Sequence, residues 1–267
     1  MPFTLSHPAA VLPLRRCCPP LRFAALAVGS IIPDFGYYVP LLAPHAQTHS
    51  LWGILLFGLS AGWLLLALLQ VLKRPLCFVL PQPHRGALTP LAAPRTRLPG
   101  LRDGLWISGS IALGAWTHIA WDSFTHAHRW GPRHLAWLNA PVFRFHGQAV
   151  AWYECLQWLS SVAGGAILLS AYRHWLRRRP ATASTSGSPA QERWRYLLLG
   201  ALAVAALGCS LPYAWTDAAA FDGVTAGKAF VFQWCVRSIT GFAGLLLPSA
   251  VLLYWLGGRQ PAAQSGA

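Results

Sequence analysis

Long apolar stretches alternate with short polar or basic stretches along most of the chain. A membrane-spanning helix needs about 20 mostly apolar residues. Five stretches meet or approach that length: 50–72, 104–121, 149–172, 195–214 and 229–257. The second is short and contains His118, and the last is long enough to tilt in a bilayer. The pattern predicts an all-α fold, a polytopic transmembrane helical bundle with about five full spans.

The first 49 residues are interrupted too often to form a conventional span. Pro13 weakens a first helix, and the Pro-Pro pair at 19–20 ends it. The next apolar run, 21–33, is about two-thirds of a span long. We expect residues 7–33 to form a short antiparallel helical hairpin that dips into the bilayer or lies at its interface. A single span over 21–42 is the alternative.

Composition excludes two classes of protein. Of the 267 residues, 55% are hydrophobic and only 10% are charged, whereas about a quarter of a soluble domain is charged. A soluble globular monomer and a disordered chain are therefore both excluded. The net charge of +14 does not indicate a nucleic-acid partner, because the basic residues lie between apolar segments, as membrane topology requires. The predicted partner is the lipid bilayer.

The basic residues also predict an orientation. If the five spans alternate, sixteen Lys and Arg residues lie on one side and four on the other. Because cytoplasmic loops are enriched in Lys and Arg, the first side, with the C-terminus, is predicted to be cytoplasmic. The predicted division is 1–172 for the hairpin and three spans, 173–194 for a basic flexible cytoplasmic linker, and 195–267 for two C-terminal spans.

Polar residues gather on the predicted outward side. His118, Asp122 and His126 follow one another at intervals of four, so a helix presents them on one face. An imidazole nitrogen and a carboxylate oxygen at this spacing can bind one metal ion, as two histidines do in the H-E-x-x-H zinc helix. Asp34 ends the apolar run at 21–33, and His49 begins the first span. Both are therefore expected at the same outer edge.

His7 starts the first helix of the predicted hairpin, where the second helix ends. Three imidazoles and two carboxylates can therefore meet at one end of the bundle: His7, Asp34, His49, His118 and Asp122. Such a set suits Zn²⁺, or a mixed or dinuclear site. Carboxylates at membrane depth are costly and are usually paired or functional. Helix capping, or a salt bridge with Arg129 or Arg133, is the structural alternative.

Glu154 and Arg237 are a second pair of charges within apolar segments. Each lies within about two turns of the outer end of its span. Mutual pairing is the simplest expectation, because an unpaired ion at that depth is expensive. Phosphate binding by Arg237 is the functional alternative.

Several blocks of the sequence resemble a known family. They are the opening segment 1–14, Gly29–Phe35, Thr48–Ser50, His118–His126, and Tyr153–Gln157 with the following serine pair. In this order, over residues 1 to about 170, they are similar to the bacterial membrane family DUF4184, which has no established activity. The resemblance implies a bacterial inner-membrane protein.

The order of the histidine and aspartate blocks also resembles the membrane-bound metal-dependent hydrolases of the YdjM type. Those in turn look distantly like zinc-dependent phospholipase C. This resemblance implies that His7, Asp34, His49, His118 and Asp122 are metal ligands.

The leading hypothesis is a metal-dependent hydrolase at the outer face of the cytoplasmic membrane. It would act on a phosphoester or lipid head group, with His126 moving a proton. A non-catalytic membrane protein whose metal ties the hairpin to the bundle is the alternative. A transporter is a third possibility, but it predicts polar residues across the whole membrane, and here they stop at one end.

Overall fold

The computed structural model describes residues 3–39, 48–93, 98–179 and 188–257. Within them the chain is mostly helical, which confirms the predicted all-α fold class. The helices are α1 (Pro8–Val11), α2 (Leu14–Cys17), α3 (Phe23–Ile31), α4 (Phe35–Tyr38), α5 (Leu59–Val79), α6 (His84–Leu88), α7 (Leu101–Thr125), α8 (Trp130–His134), α9 (Trp152–Arg177), α10 (Pro189–Ala218) and α11 (Gly223–Gly257).

Shorter helical turns connect these helices. Those of the 3₁₀ type are Thr4–Ser6, Ile32–Asp34, Thr89–Ala92 and Ala136–Asn139. One turn of α-helix at Leu51–Gly53 and a π-helical stretch at Ile54–Gly58 lead directly into α5.

Four helices in the described ranges are long and apolar enough to cross a membrane. They are Ile54–Val79, α9, α10 and α11. Their outer surfaces carry large apolar side chains that are exposed in the isolated chain, such as Leu64 at 72% and Val162 at 74%, and a lipid bilayer would cover them. The predicted span 104–121 lies inside α7. This helix is not among the four, and it buries polar side chains such as Ser110 and His118. A fifth span remains a prediction.

The N-terminal segment folds back on itself, as the prolines predict. Pro13 lies between α1 and α2, and the chain turns at residues 18–22 before α3 begins. α1 packs against α3, so the two arms form a hairpin. Its depth in the membrane remains a prediction, and much of the alternative span 21–42 is α3, a 3₁₀ turn and α4 rather than one continuous helix.

The chain forms two compact units. The first comprises Met1–Ala67 and Arg97–His174, and the second Leu68–Thr96 and Trp175–Ala267. In the first unit, α3 lies along α7 at very close range, because Gly29 and Gly114 present no side chain. A Cβ atom on either glycine would collide with the backbone of the other helix. Such small residues allow helices to pack closely in membranes.

In the second unit, α10 and α11 form a long helical hairpin. The Ser210 and Ser238 hydroxyls are 2.7 Å apart, and Arg237 donates a 2.6 Å hydrogen bond to Asp217. The charge of Arg237 is therefore compensated by Asp217 within this hairpin, and its pairing with Glu154 stays a prediction.

Two segments between the long helices contain regular secondary structure. The segment between two of the predicted spans, residues 122–148, contains α8 and most of a small antiparallel hairpin, formed by β1 (Pro141–Phe145) and β2 (Gln148–Ala151). His146 and Gly147 both have positive φ in its turn, as a two-residue type I′ turn requires. The predicted linker 173–194 is helical up to Arg177 and again from Pro189, where Ser188 and Gln191 form a capping box. Residues 180–187 lie outside the described ranges.

Candidate metal centre

Four separate segments bring the polar cluster together in the first unit. α7 supplies His118 and Asp122 from successive turns of one face. The 3₁₀ turn after α3 ends at Asp34, and His49 precedes the first candidate span. His7 joins the opening 3₁₀ turn to α1. All five predicted ligands lie in this one place, and each is at most 7% exposed.

Four donor atoms form the tightest set. They belong to Asp34, His49, His118 and Asp122, and all lie within 4.8 Å of one another. His118 Nε2 is 3.5 Å from Asp34 Oδ1 and 3.3 Å from Asp122 Oδ2. His49 Nε2 is 3.4 Å and 3.7 Å from the same two oxygens.

These separations fit a tetrahedral metal ion. Zinc binds imidazole nitrogen and carboxylate oxygen at about 2.0–2.2 Å, which places neighbouring ligand atoms about 3.3–3.6 Å apart in a tetrahedron. Four of the six ligand pairs lie at 3.3–3.7 Å. In addition, Asp34 Oδ1 and His118 Nε2 are buried and have no hydrogen-bond partner among the described residues. The four residues could therefore hold a metal ion.

The carboxylate of Asp122 faces two groups of histidines. Its Oδ2 points to His49 and His118. Its Oδ1 is 3.6 Å from His7 Nε2 and 3.7 Å from His126 Nδ1. The His7 ring also stacks on the His118 ring, with 3.7 Å between centroids. His7 and His126 thus border the four-donor set on one side of Asp122.

Hydrogen bonds from a second layer of residues orient the cluster. His118 Nδ1 is 2.7 Å from the carbonyl oxygen of Ser30. A carbonyl can only accept, so Nδ1 carries the proton and Nε2 offers its lone pair to the centre. Thr4 donates a 2.7 Å hydrogen bond to Asp34 Oδ2, which leaves Oδ1 facing the histidines. Such partners are typical of metal-binding residues.

His49 is oriented through its neighbour Thr48. The Thr48 hydroxyl donates to the carbonyl oxygen of Pro33 at 2.7 Å, and it lies 3.2 Å from His49 Nδ1. Because that hydroxyl proton is already donated, the oxygen is available to accept from Nδ1. His49 Nε2 then faces the two carboxylates. The same backbone that carries Asp34 therefore also positions His49.

The charges of the cluster require compensation. Among the described residues, neither Asp34 nor Asp122 forms an ion pair with a lysine or arginine, including Arg129 and Arg133. Burial alone would raise the pKa of Asp34, but the facing imidazoles of His118 and His49 outweigh it and hold that pKa below its usual range. Two buried carboxylates among imidazoles are a donor set that a divalent cation would neutralise.

His7 and His126 lie outside the four-donor set, and their pKa values are lowered. Burial is the main reason that the pKa of His7 is lowered to about 3. Burial also lowers the pKa of His126. Both imidazoles are therefore neutral near pH 7, the form in which histidine binds a metal or accepts a proton.

The sequence reasoning missed the residues that orient the ligands. Thr48 adjoins His49, and this adjacency was the one available signal. Nothing local pointed to Thr4, which reaches Asp34 across 30 residues. The contribution of Ser30 is a backbone carbonyl, and a sequence pattern does not record one.

Comparison with known proteins places the chain in a family. The sequence profile described as domain of unknown function, DUF4184, matches residues 1–253. The chain belongs to this family. No curated protein and no solved structure matches it, so the resemblance to YdjM-type hydrolases stays a prediction. The DUF4184 match includes every residue of the cluster, but the family description assigns no function.

Proposed function

We propose that this DUF4184 protein is a metal-dependent hydrolase. It acts on a phosphoester or a lipid head group at the outer face of the bacterial inner membrane, with its C-terminus in the cytoplasm. The observation that carries the proposal is the buried set of four donor atoms, separated by 3.3–3.7 Å along four edges. Zinc is the metal that best fits two nitrogen and two oxygen donors in a tetrahedron.

The residues around the set have distinct roles in this proposal. Asp34, His49, His118 and Asp122 hold the metal, which would supply Lewis-acid activation of a water molecule and of a phosphoryl oxygen. His7, a further ligand in the sequence prediction, stacks on His118 and faces Asp122 Oδ1 rather than Oδ2. His126 borders the same oxygen, 22% exposed at its side chain. It is placed to accept a proton at the edge of the site.

A structural metal is the second candidate, and one observation favours it. The four donors are enough to close a tetrahedral shell, whereas a catalytic zinc keeps a position open. Such a metal would tie the N-terminal hairpin to α7. The opposing observation is that His7 Nε2 and Asp122 Oδ1, both buried, have no hydrogen-bond partner among the described residues. These two atoms are additional buried polar groups outside the four-donor set, and a purely structural metal would not require them.

The first experiment is metal content by mass spectrometry on detergent-purified protein. Wild type is compared with His118→Ala and Asp122→Ala, and with His134→Ala as control, because His134 is an exposed histidine stacked on Trp130. We expect stoichiometric zinc in wild type and the control, and its loss from both cluster variants. Wild type that neither contains nor takes up metal would refute the metal centre.

The second experiment separates the two candidates. Metal-loaded protein is incubated with phospholipid and with a soluble phosphodiester, and release of the head group or alcohol is followed. We expect turnover by wild type, and a lower rate for His126→Ala at unchanged metal content. Full metal occupancy without turnover of either substrate would favour the structural metal.

A further inference from the structure

An apolar cavity of about 660 Å³, open along one side to the protein surface, lies beside the metal centre within the first unit. One wall is α7 and the opposite wall is α9. The walls include Trp116, Ala120 and Trp121 of α7, and Leu156, Ala163 and Ile167 of α9. A volume of this size is within the range of pockets that bury small organic molecules.

The cavity is elongated along a candidate membrane span. Its lining on α9 extends from Leu156 to Ile167, which is about 16 Å at the rise of an α-helix. Trp121 donates from its indole to the Ser160 hydroxyl at 3.1 Å and so bridges the two walls. Because α9 is apolar enough to cross a membrane, the cavity lies beside a segment that acyl chains surround.

The polar groups of the lining are almost all engaged within the protein. Ser6 donates to the carbonyl oxygen of Ser161 at 2.8 Å, and Thr117 donates to that of Gly114 at 2.7 Å. Ser160 donates to the carbonyl oxygen of Gln157. A peptide or sugar in the cavity would lose its hydrogen bonds to water without replacement, whereas a hydrocarbon chain would lose none.

The cavity meets the metal centre at one residue. His7 is part of the lining, and its ring stacks on His118 while Nε2 faces Asp122 Oδ1. Its position is set by the preceding Ser6, which packs against α9 where Gly164 has no side chain. A molecule with its chain in the cavity would therefore place part of its structure next to the cluster.

We infer that this cavity binds an acyl chain of a membrane lipid and brings the head of that lipid to the metal centre at His7. As an identification of the substrate, this inference rests on the proposed hydrolase function. It selects an acylated lipid over a soluble phosphoester.

Photolabelling tests the inference. Wild-type protein is reconstituted in vesicles of phosphatidylethanolamine and phosphatidylglycerol that contain a phospholipid with a diazirine in one acyl chain. After irradiation, labelled peptides are identified by mass spectrometry. Ala163→Trp fills the cavity from α9 and Ala120→Phe fills it from α7. Val162→Trp is the matched control, because Val162 is 74% exposed on the outer surface of α9.

The expected result is labelling of 116–124 and 156–167 in wild type and Val162→Trp, and loss of this labelling in both cavity-filling variants at unchanged metal content. Labelling that persists in Ala163→Trp and Ala120→Phe would show that the label comes from lipid at the outer surface of the protein and not from lipid in the cavity. This result would overturn the inference. Protein that binds metal and takes the cavity label but cleaves no lipid would overturn the proposed hydrolase function, not the acyl-chain site.

Discussion

His118 and Ser30 are 88 residues apart, and Nδ1 of the histidine lies 2.7 Å from the carbonyl oxygen of the serine. This contact settles which nitrogen of His118 carries the proton. It also joins α7 to α3 at the level of the metal centre. The orientation of the His118 side chain at the metal centre therefore depends on the close packing of α3 against α7.

Because of that packing, we expect alanine substitutions at two glycines of α7 to have different effects on stability. Gly114→Ala places a Cβ atom against the backbone of Leu26 and Ser30, and we expect it to cost about 1–3 kcal/mol or more of stability and to weaken metal binding. Gly109→Ala meets nothing within 4 Å, so its effect should be neutral or slightly stabilising. Thermal unfolding and metal content of the two variants check this, and equal behaviour would contradict the described helix packing.

The second-layer hydroxyls should tune the affinity for the metal. Removal of one such hydrogen bond typically lowers metal affinity by about 10–100-fold. We expect a loss of this size for Thr4→Val and Thr48→Val, with full occupancy restored at high metal concentration. Thr216→Val is the control, because Thr216 bonds only to a carbonyl of its own helix. Titration with a competing chelator measures the affinities.

Metal removal should destabilise the first unit. A ligand that binds only the folded state adds about 4 kcal/mol at a concentration 1,000 times its dissociation constant. We therefore expect a chelator to lower the unfolding temperature of wild type and to leave that of Asp34→Asn nearly unchanged. Circular dichroism in detergent monitors both. An identical decrease in the two proteins would show that the chelator acts elsewhere.

Two carboxylate-to-amide substitutions outside the cluster should lower the free energy of unfolding by different amounts. Glu192 pairs at 2.5 Å with Arg85, whose side chain is only 9% exposed, so Glu192→Gln replaces the carboxylate that faces a largely buried guanidinium with a neutral amide. We expect a loss of roughly 2 kcal/mol, below the value for a fully buried pair. Asp103 pairs with Arg22 at the surface, and Asp103→Asn should cost less than about 1 kcal/mol. Unfolding in mixed micelles would show whether the two losses differ.

The orientation can be tested with single cysteines in a variant that lacks the six native ones. Arg144→Cys lies in β1 and Arg178→Cys follows α9. If the C-terminus is cytoplasmic, an impermeant maleimide should label the first in intact cells and the second only after permeabilisation. The opposite pattern would invert the proposed topology and place the metal centre on the cytoplasmic side.

The sequence by itself determined the features that depend on local spacing. Long apolar stretches predicted the candidate spans, because the bilayer sets a minimum length for a helix that crosses it. The interval of four between His118 and Asp122 placed both on one face of α7. The prolines of the N-terminal segment predicted the hairpin, since they limit where a helix can continue.

Only the tertiary structure decided how distant segments meet. The bond from Thr4 to Asp34, the Ser30 carbonyl behind His118 and the two directions of the Asp122 carboxylate depend on how the opening segment, α3 and α7 pack together. The cavity beside His7 likewise arises from the space between α7 and α9. Such contacts join residues that no local pattern connects, because they follow from the mutual fit of side chains and backbone rather than from a helical period.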